Sequence, residues 1–186
     1  MVVSALRPFD VKTCARWHHV PATSTIDGPP QAVPDRYEAV VQLRPGESPD
    51  AAFERVRDRL FAYRVFPPRL MRFVICPEGC LREGSVVVQR VAVGPLRIEA
   101  AVRVVERWDR GDAEQRSAGF RYVTLAGHPE CGVASFEVRL GADDRVTVEI
   151  ESRSRPGGRA TRAARPLARS VQRRSTMAAL AHLTAA

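Results

Sequence analysis

The chain has 186 residues, 45% hydrophobic and 27% charged, which suits one globular domain long enough to bury a sizeable core. The net charge of +8 is confined to one end: residues 152–186 hold eight of the 29 basic residues and no acid, leaving 21 against 21 before them. With one lysine (Lys12) among those 29 and no aromatic residue after Phe136, the excess is not a nucleic-acid footprint, and no apolar run approaches the ~20 residues of a membrane helix.

In chain order, residues 1–34 read as an irregular arm punctuated by Pro8, Pro21, Pro29, Pro30 and Pro34, with one short helix around Val11–His18. The opening MVVSALRPFD lacks the basic start of a secretory signal, so a cytoplasmic location is expected. Cys14, Cys76, Cys80 and Cys131 are too few and scattered for a secreted disulfide framework. Cys76-Pro-Glu-Gly-Cys80 has zinc-compatible spacing, and Cys14 with His18 could complete a set. A single cysteine pair is a weak signal, and no metal is expected.

The remaining residues, 35–186, read as one domain. Tyr37–Leu43 is a short β-rich run. Ser48 caps and Pro49 starts a helix whose apolar positions Phe53, Val56, Leu60 and Tyr63 keep helical spacing until Pro67-Pro68 stops it. From Arg72 the period becomes two: RFVIC, SVVVQRVAV, LRIEAAVRVVERW, GFRYVTL, SFEVRL and RVTVEIE are separated by turn-forming residues, which predicts an antiparallel meander. A helical pattern returns from about Ala163 to Leu183, with Leu167, Val171 and Leu180 on one side and Arg162, Arg165, Arg169 and Arg173 on another. This is an α+β order: a curved antiparallel sheet of about six to seven strands gripping a long C-terminal helix.

Strand parity sorts the side chains, because successive residues face opposite sides of a sheet. Val102, Val104, Phe120, Val138 and Val148 belong to the apolar sets and are expected to face the terminal helix. Glu137, Glu149 and Glu151 fall on the opposite, solvated face beside arginines, which removes them as general acids. In GFRYVTL, Tyr122 and Thr124 share the inward side with Phe120. Two readings stand for them: sparse polar groups that orient a ligand in an apolar pocket, or hydroxyls satisfied by backbone. His128, in the following GHPECG loop, is either an acid, base or ligand contact, or a residue that holds the turn. No serine, cysteine or acid completes a triad with it, and no Gly-rich phosphate loop is present.

The block GFRYVTLAGHPECG, followed by SFEVRL, SRSRP and the terminal ARPLARSVQRR, resembles the domain-of-unknown-function family numbered nineteen-ninety. The helix FERVRDRLFAYRVFPPRLM also resembles that family's first helix. The likeness runs from about Asp35 to Leu183, so the arm falls outside it. Gly119, Phe120, Tyr122, Thr124, Gly127, His128, Pro129, Glu130 and Phe136 match the family's pattern. Val123 replaces a glycine, and Val133 and Ala134 replace acidic residues. The resemblance implies a START/birch-pollen-allergen-like, helix-grip fold with a hydrophobic cavity, and no particular chemistry.

Three readings of function follow. The first is a binding module for a small hydrophobic ligand, lined by Val102, Val104, Phe120, Val138, Val148 and Leu167 and oriented by Tyr122 and Thr124. The second is an enzyme without a cofactor, a cyclase, isomerase or hydrolase using Tyr122 or His128 as acid or base. The third is an interaction protein with a filled core, whose basic terminal helix meets an acidic partner. The arm is a candidate cover for the pocket mouth.

Overall fold

The computed structural model describes residues 11–29, 32–77, 79–93, 96–111, 115–158 and 165–185, with side chains at all of these except 11, 12, 92, 93, 96, 97 and 165–168. Helix α1 spans Val11–His18, strand β1 Asp35–Val40 and helix α2 Pro49–Phe61. Strands β2 to β7 follow at Met71–Cys76, Val86–Val93, Leu96–Gly111, Arg116–Thr124, Glu130–Leu140 and Val146–Pro156, and helix α3 closes the chain at Arg165–Thr184. The seven strands form one antiparallel sheet in the order β1-β7-β6-β5-β4-β3-β2. The fold is α+β and of the helix-grip type expected. The start of the terminal helix near Ala163, and Arg162, lie outside the described residues.

Ser48 caps α2 as its spacing predicts, its hydroxyl accepting from the Ala51 amide at 3.2 Å. The helix stops at Phe61, before the two prolines, because Tyr63 turns into the left-handed region with φ 54°. That turn drives the fully buried Tyr63 ring inward, where its centroid lies 5.6 Å from that of Phe120. The Gln89 amide donates to its hydroxyl. On the same inner face of the sheet, Val102, Val104, Phe120, Phe136, Val138 and Val148 pack with Phe53, Val56 and Leu60 of α2 and Leu180 and Leu183 of α3. A register shift between Val104 and Glu106 turns Trp108 to the outer face, opposite Gly119.

The described part of the arm, residues 11–29, lies on the outer face and not over a pocket mouth. Trp17 packs with Val86, Val88, Ala101 and Leu125 in a second apolar cluster, which Cys14, Val20 and Val74 adjoin. The Trp17 indole donates to Glu99 at 3.3 Å, and Arg103 donates to the carbonyls of His18 at 2.8 Å and Val20 at 3.1 Å. Cys14 and Cys76 are joined by a disulfide, with their Cα atoms 5.5 Å apart. The sequence reading does not pair these two, and the link withdraws two of the four groups considered for zinc. Further along, Ala22 bridges Leu125, and the Thr23 amide donates to the Thr124 carbonyl at 2.8 Å. Gly28 (φ 83°) then lies so close to Val133 that an added Cβ would stand 2.9 Å from its Cγ1.

The outer-face acids pair as parity predicts. Arg139 reaches Glu137 at 2.5 Å and Glu149 at 3.1 Å, Arg153 reaches Glu151 at 3.1 Å, and Arg36 also pairs with Glu149. Glu149 is nonetheless buried rather than solvated, because it lies between the two arginines. Among the described residues no helix is long and apolar enough to cross a membrane.

Candidate functional site

Directly opposed residues in a sheet share a face, so the register lays the inner surface out in rows. One row runs Phe120, Phe136, Ile150, Tyr37, and the next runs Tyr122, Ala134, Ser152, Asp35. Beyond these, Gly132 stands opposite Ser154. Bulky apolar side chains therefore give way to small ones toward one end of the groove, where the first half of α3 crosses β1 and β7. Ala134, at a position where the resemblance leads one to expect an acid, is part of this low floor. The result is a cleft of about 100 Å3 lined by Asp35, Tyr37, Ser152, Arg169, Gln172, Arg173 and Thr176.

Polar groups from four elements meet beside it. The Gln172 amide donates to Ser154 Oγ at 3.0 Å, Ser154 is hydrogen-bonded to Glu130, and Arg169 bonds Asp35 at 3.0 Å. Burial pushes the Glu130 carboxyl up, against the opposing pull of Ser154 and Arg169. Gly132 permits the approach of β7: a Cβ there would lie 2.6 Å from Ser154 Cβ and 2.3 Å from the Arg153 carbonyl. Sequence reasoning did not select Glu130, Ser154, Arg169 or Gln172 as site residues. Each stands within a stretch that carried the family resemblance (HPE, SRSRP, ARPLARSVQRR), and only the register shows that the stretches converge.

Tyr122 stands on β5 at the far end of the same row, half-buried, its ring 6.4 Å from Phe120 and 5.9 Å from Phe136 between centroids. Burial pushes its phenol up to about 12, so it remains a hydrogen-bond donor across the physiological range. Among the described residues, no group accepts from it or donates to it. Thr124 is placed differently. Its Oγ1 accepts from the Gly132 amide at 2.9 Å and lies 2.6 Å from the Thr23 hydroxyl, so it ties the arm and β6 to β5. Val102, Val104, Phe120, Val138 and Val148 are all in the closed core, while the side chain of Leu167 lies outside the described residues.

His128 holds the loop before β6. Its Nδ1 accepts from the Glu130 amide at 3.0 Å, and burial lowers its pKa to about 4. The unfolded imidazole titrates near 6.5. Above pH 6.5 both states are neutral; as pH falls from 6.5 toward 4, only the unfolded chain gains the proton, so stability is lost across that window. His128→Asn keeps an acceptor for the Glu130 amide without the titration. We expect its urea midpoint to fall less between pH 7 and 4.5 than that of the wild type. Parallel curves would remove His128 from the acid response. Among the described residues, no three His, Cys, Asp or Glu side chains cluster as a metal site.

The family model described as "Domain of unknown function (DUF1990)" matches residues 16–182, which extends into the arm beyond the likeness read from sequence. No curated protein matches the chain. Among solved structures, a hypothetical protein of Helicobacter pylori is similar at 14% identity and TM-score 0.53, covering 99% of this chain and 96% of its own. The KanY protein is similar at 12% identity and TM-score 0.51, covering 82% of this chain and 95% of its own. The allergen Ara h 8.0201 has 12% identity and TM-score 0.47, with coverages of 82% and 97%. At such identities the first two likenesses concern the fold alone.

Proposed function

The chain belongs to the DUF1990 family, and from that premise we propose that it binds a small, mainly apolar molecule between the inner face of the sheet and the first half of α3. The observation that carries this reading is the Tyr122 hydroxyl, a donor with no protein partner among the described residues, on a face otherwise built from apolar and small side chains. An acceptor on a bound molecule would take up that hydrogen bond, worth about 1 kcal/mol net. A cleft lies beside β1 and β7, next to the first half of α3. Its volume, about 100 Å3, is below the ~300 Å3 typical of ligand pockets, so it suits a small ring or one end of a longer molecule.

Native mass spectrometry of protein purified from its own cells, followed by denaturing extraction, tests the reading. We expect an adduct that is released on denaturation. Against the released compound, Tyr122→Phe should weaken binding by about five- to tenfold, the worth of one hydrogen bond, and Tyr122→Trp should abolish it by filling the space above Ala134. Unchanged affinity in both variants would remove Tyr122 from the site. A bare protein that also takes up no added aromatic compound would overturn the binding reading itself.

A further inference from the structure

Resting on that reading, we infer that the bound molecule carries a carboxylate at one end, and that Arg173 of α3 with Tyr37 of β1 forms the subsite that receives it. The inference comes from accounting for every donor around the cleft. The Arg169 guanidinium bonds Asp35 at 3.0 Å, and the two charges cancel. The Gln172 amide is spent on Ser154 at 3.0 Å, and the Thr176 hydroxyl on the Gln172 carbonyl at 3.1 Å. Three lining donors are left without a partner among the described residues: the Arg173 guanidinium and the Tyr37 and Ser152 hydroxyls. Glu130, the other carboxyl nearby, is engaged by Ser154 and does not line the cleft.

The subsite thus presents one uncompensated positive charge and three donor groups. A planar monoanion with two acceptor oxygens matches that set, because a guanidinium and a carboxylate pair through parallel hydrogen bonds. A phosphate dianion would leave a full negative charge unmatched, since Asp35 already neutralises Arg169. The sheet also bounds the molecule's length. Tyr37 and Tyr122 stand on β1 and β5, strands three spacings or about 14 Å apart, with Ile150, Ser152, Phe136 and Ala134 on the strands between them. An aryl or short-chain carboxylic acid, with its acid at Arg173 and its far end directed along the sheet toward Tyr122, matches that spacing.

The test uses two matched compounds, 2-naphthoate and 2-naphthamide, titrated into isotopically labelled full-length protein and followed by NMR. The acid should bind about tenfold more tightly than the amide, and the preference should shrink as salt is raised. Arg173 is exposed, so Arg173→Gln should leave the fold intact. It should reduce the preference for the acid over the amide to within about twofold. Tyr37→Phe should lower acid affinity about threefold. Equal affinities in the wild type, or a preference that survives in Arg173→Gln, would overturn the carboxylate assignment and leave the binding reading standing. If neither compound shifts any inner-face resonance at millimolar concentration, both fall together.

Discussion

Replacing Cys14 by serine is expected to lower stability by about 4 kcal/mol, the chain entropy removed when a disulfide closes a loop of this length. The bonded cysteines are 62 residues apart, and nearly all of the intervening chain is otherwise free to spread when unfolded. The loss should also loosen Trp17 from its place against Val86, Val88 and Leu125, because α1 is only eight residues long and too short to persist alone. Urea unfolding of the wild type with and without reductant, beside Cys14→Ser, makes the comparison. We expect the reduced wild type and the variant to coincide below the oxidised protein. A wild-type midpoint indifferent to reductant would show that the link contributes nothing.

Gly119→Ala should destabilise the protein by about 3 kcal/mol or prevent its folding. A Cβ at that position would stand 2.3 Å from the Phe136 carbonyl oxygen and 2.6 Å from Trp108 Cζ2. The first obstacle is backbone of the adjoining strand, so relief requires β5 and β6 to part, and core strands do not separate without loss of packing. Trp108 lies in the space the glycine leaves, so an aromatic ring covers a gap in the sheet. Gly158→Ala is the matched control: nothing lies within 4 Å of its Cβ position, and the change should stay within about 0.5 kcal/mol. Equal effects at the two positions would refute the steric argument.

Much of this architecture could be read before the coordinates, for a physical reason. Val146, Val148 and Ile150 alternate with Thr147 and Glu149, and an apolar set confined to one face leaves such strands a single register. Local chemistry also placed the start of α2, since Ser48 and Pro49 act within one turn of themselves. Its end escaped, because only the tertiary burial of Tyr63 holds a tyrosine in the left-handed region. The loop GHPECG looked longer than it is: Cys131 and Gly132 read as turn residues, yet they pair with Arg155 and Ser154. The polar cluster was hidden because Glu130, Ser154 and Gln172 sit on three elements and share no local pattern. Equally, nothing near Thr124 announces Thr23, a partner about a hundred residues earlier in a stretch that reads as linker.

The arm and its disulfide give the molecule a closed topology. From Cys14 the chain runs along the outer face to β1 at one edge of the sheet, then through α2 across the inner face to β2 at the other edge, where Cys76 bonds back to Cys14. Residues 14–76 are therefore a covalent ring, and β3 to β7 pass through it. Both edge strands belong to the ring, so neither can peel away from the sheet as a free end while the link is intact. A single cut between Cys14 and β1 would open the ring as surely as reduction would. The sheet's two sides are thus fastened to each other by a girdle rather than by the strand ladder alone.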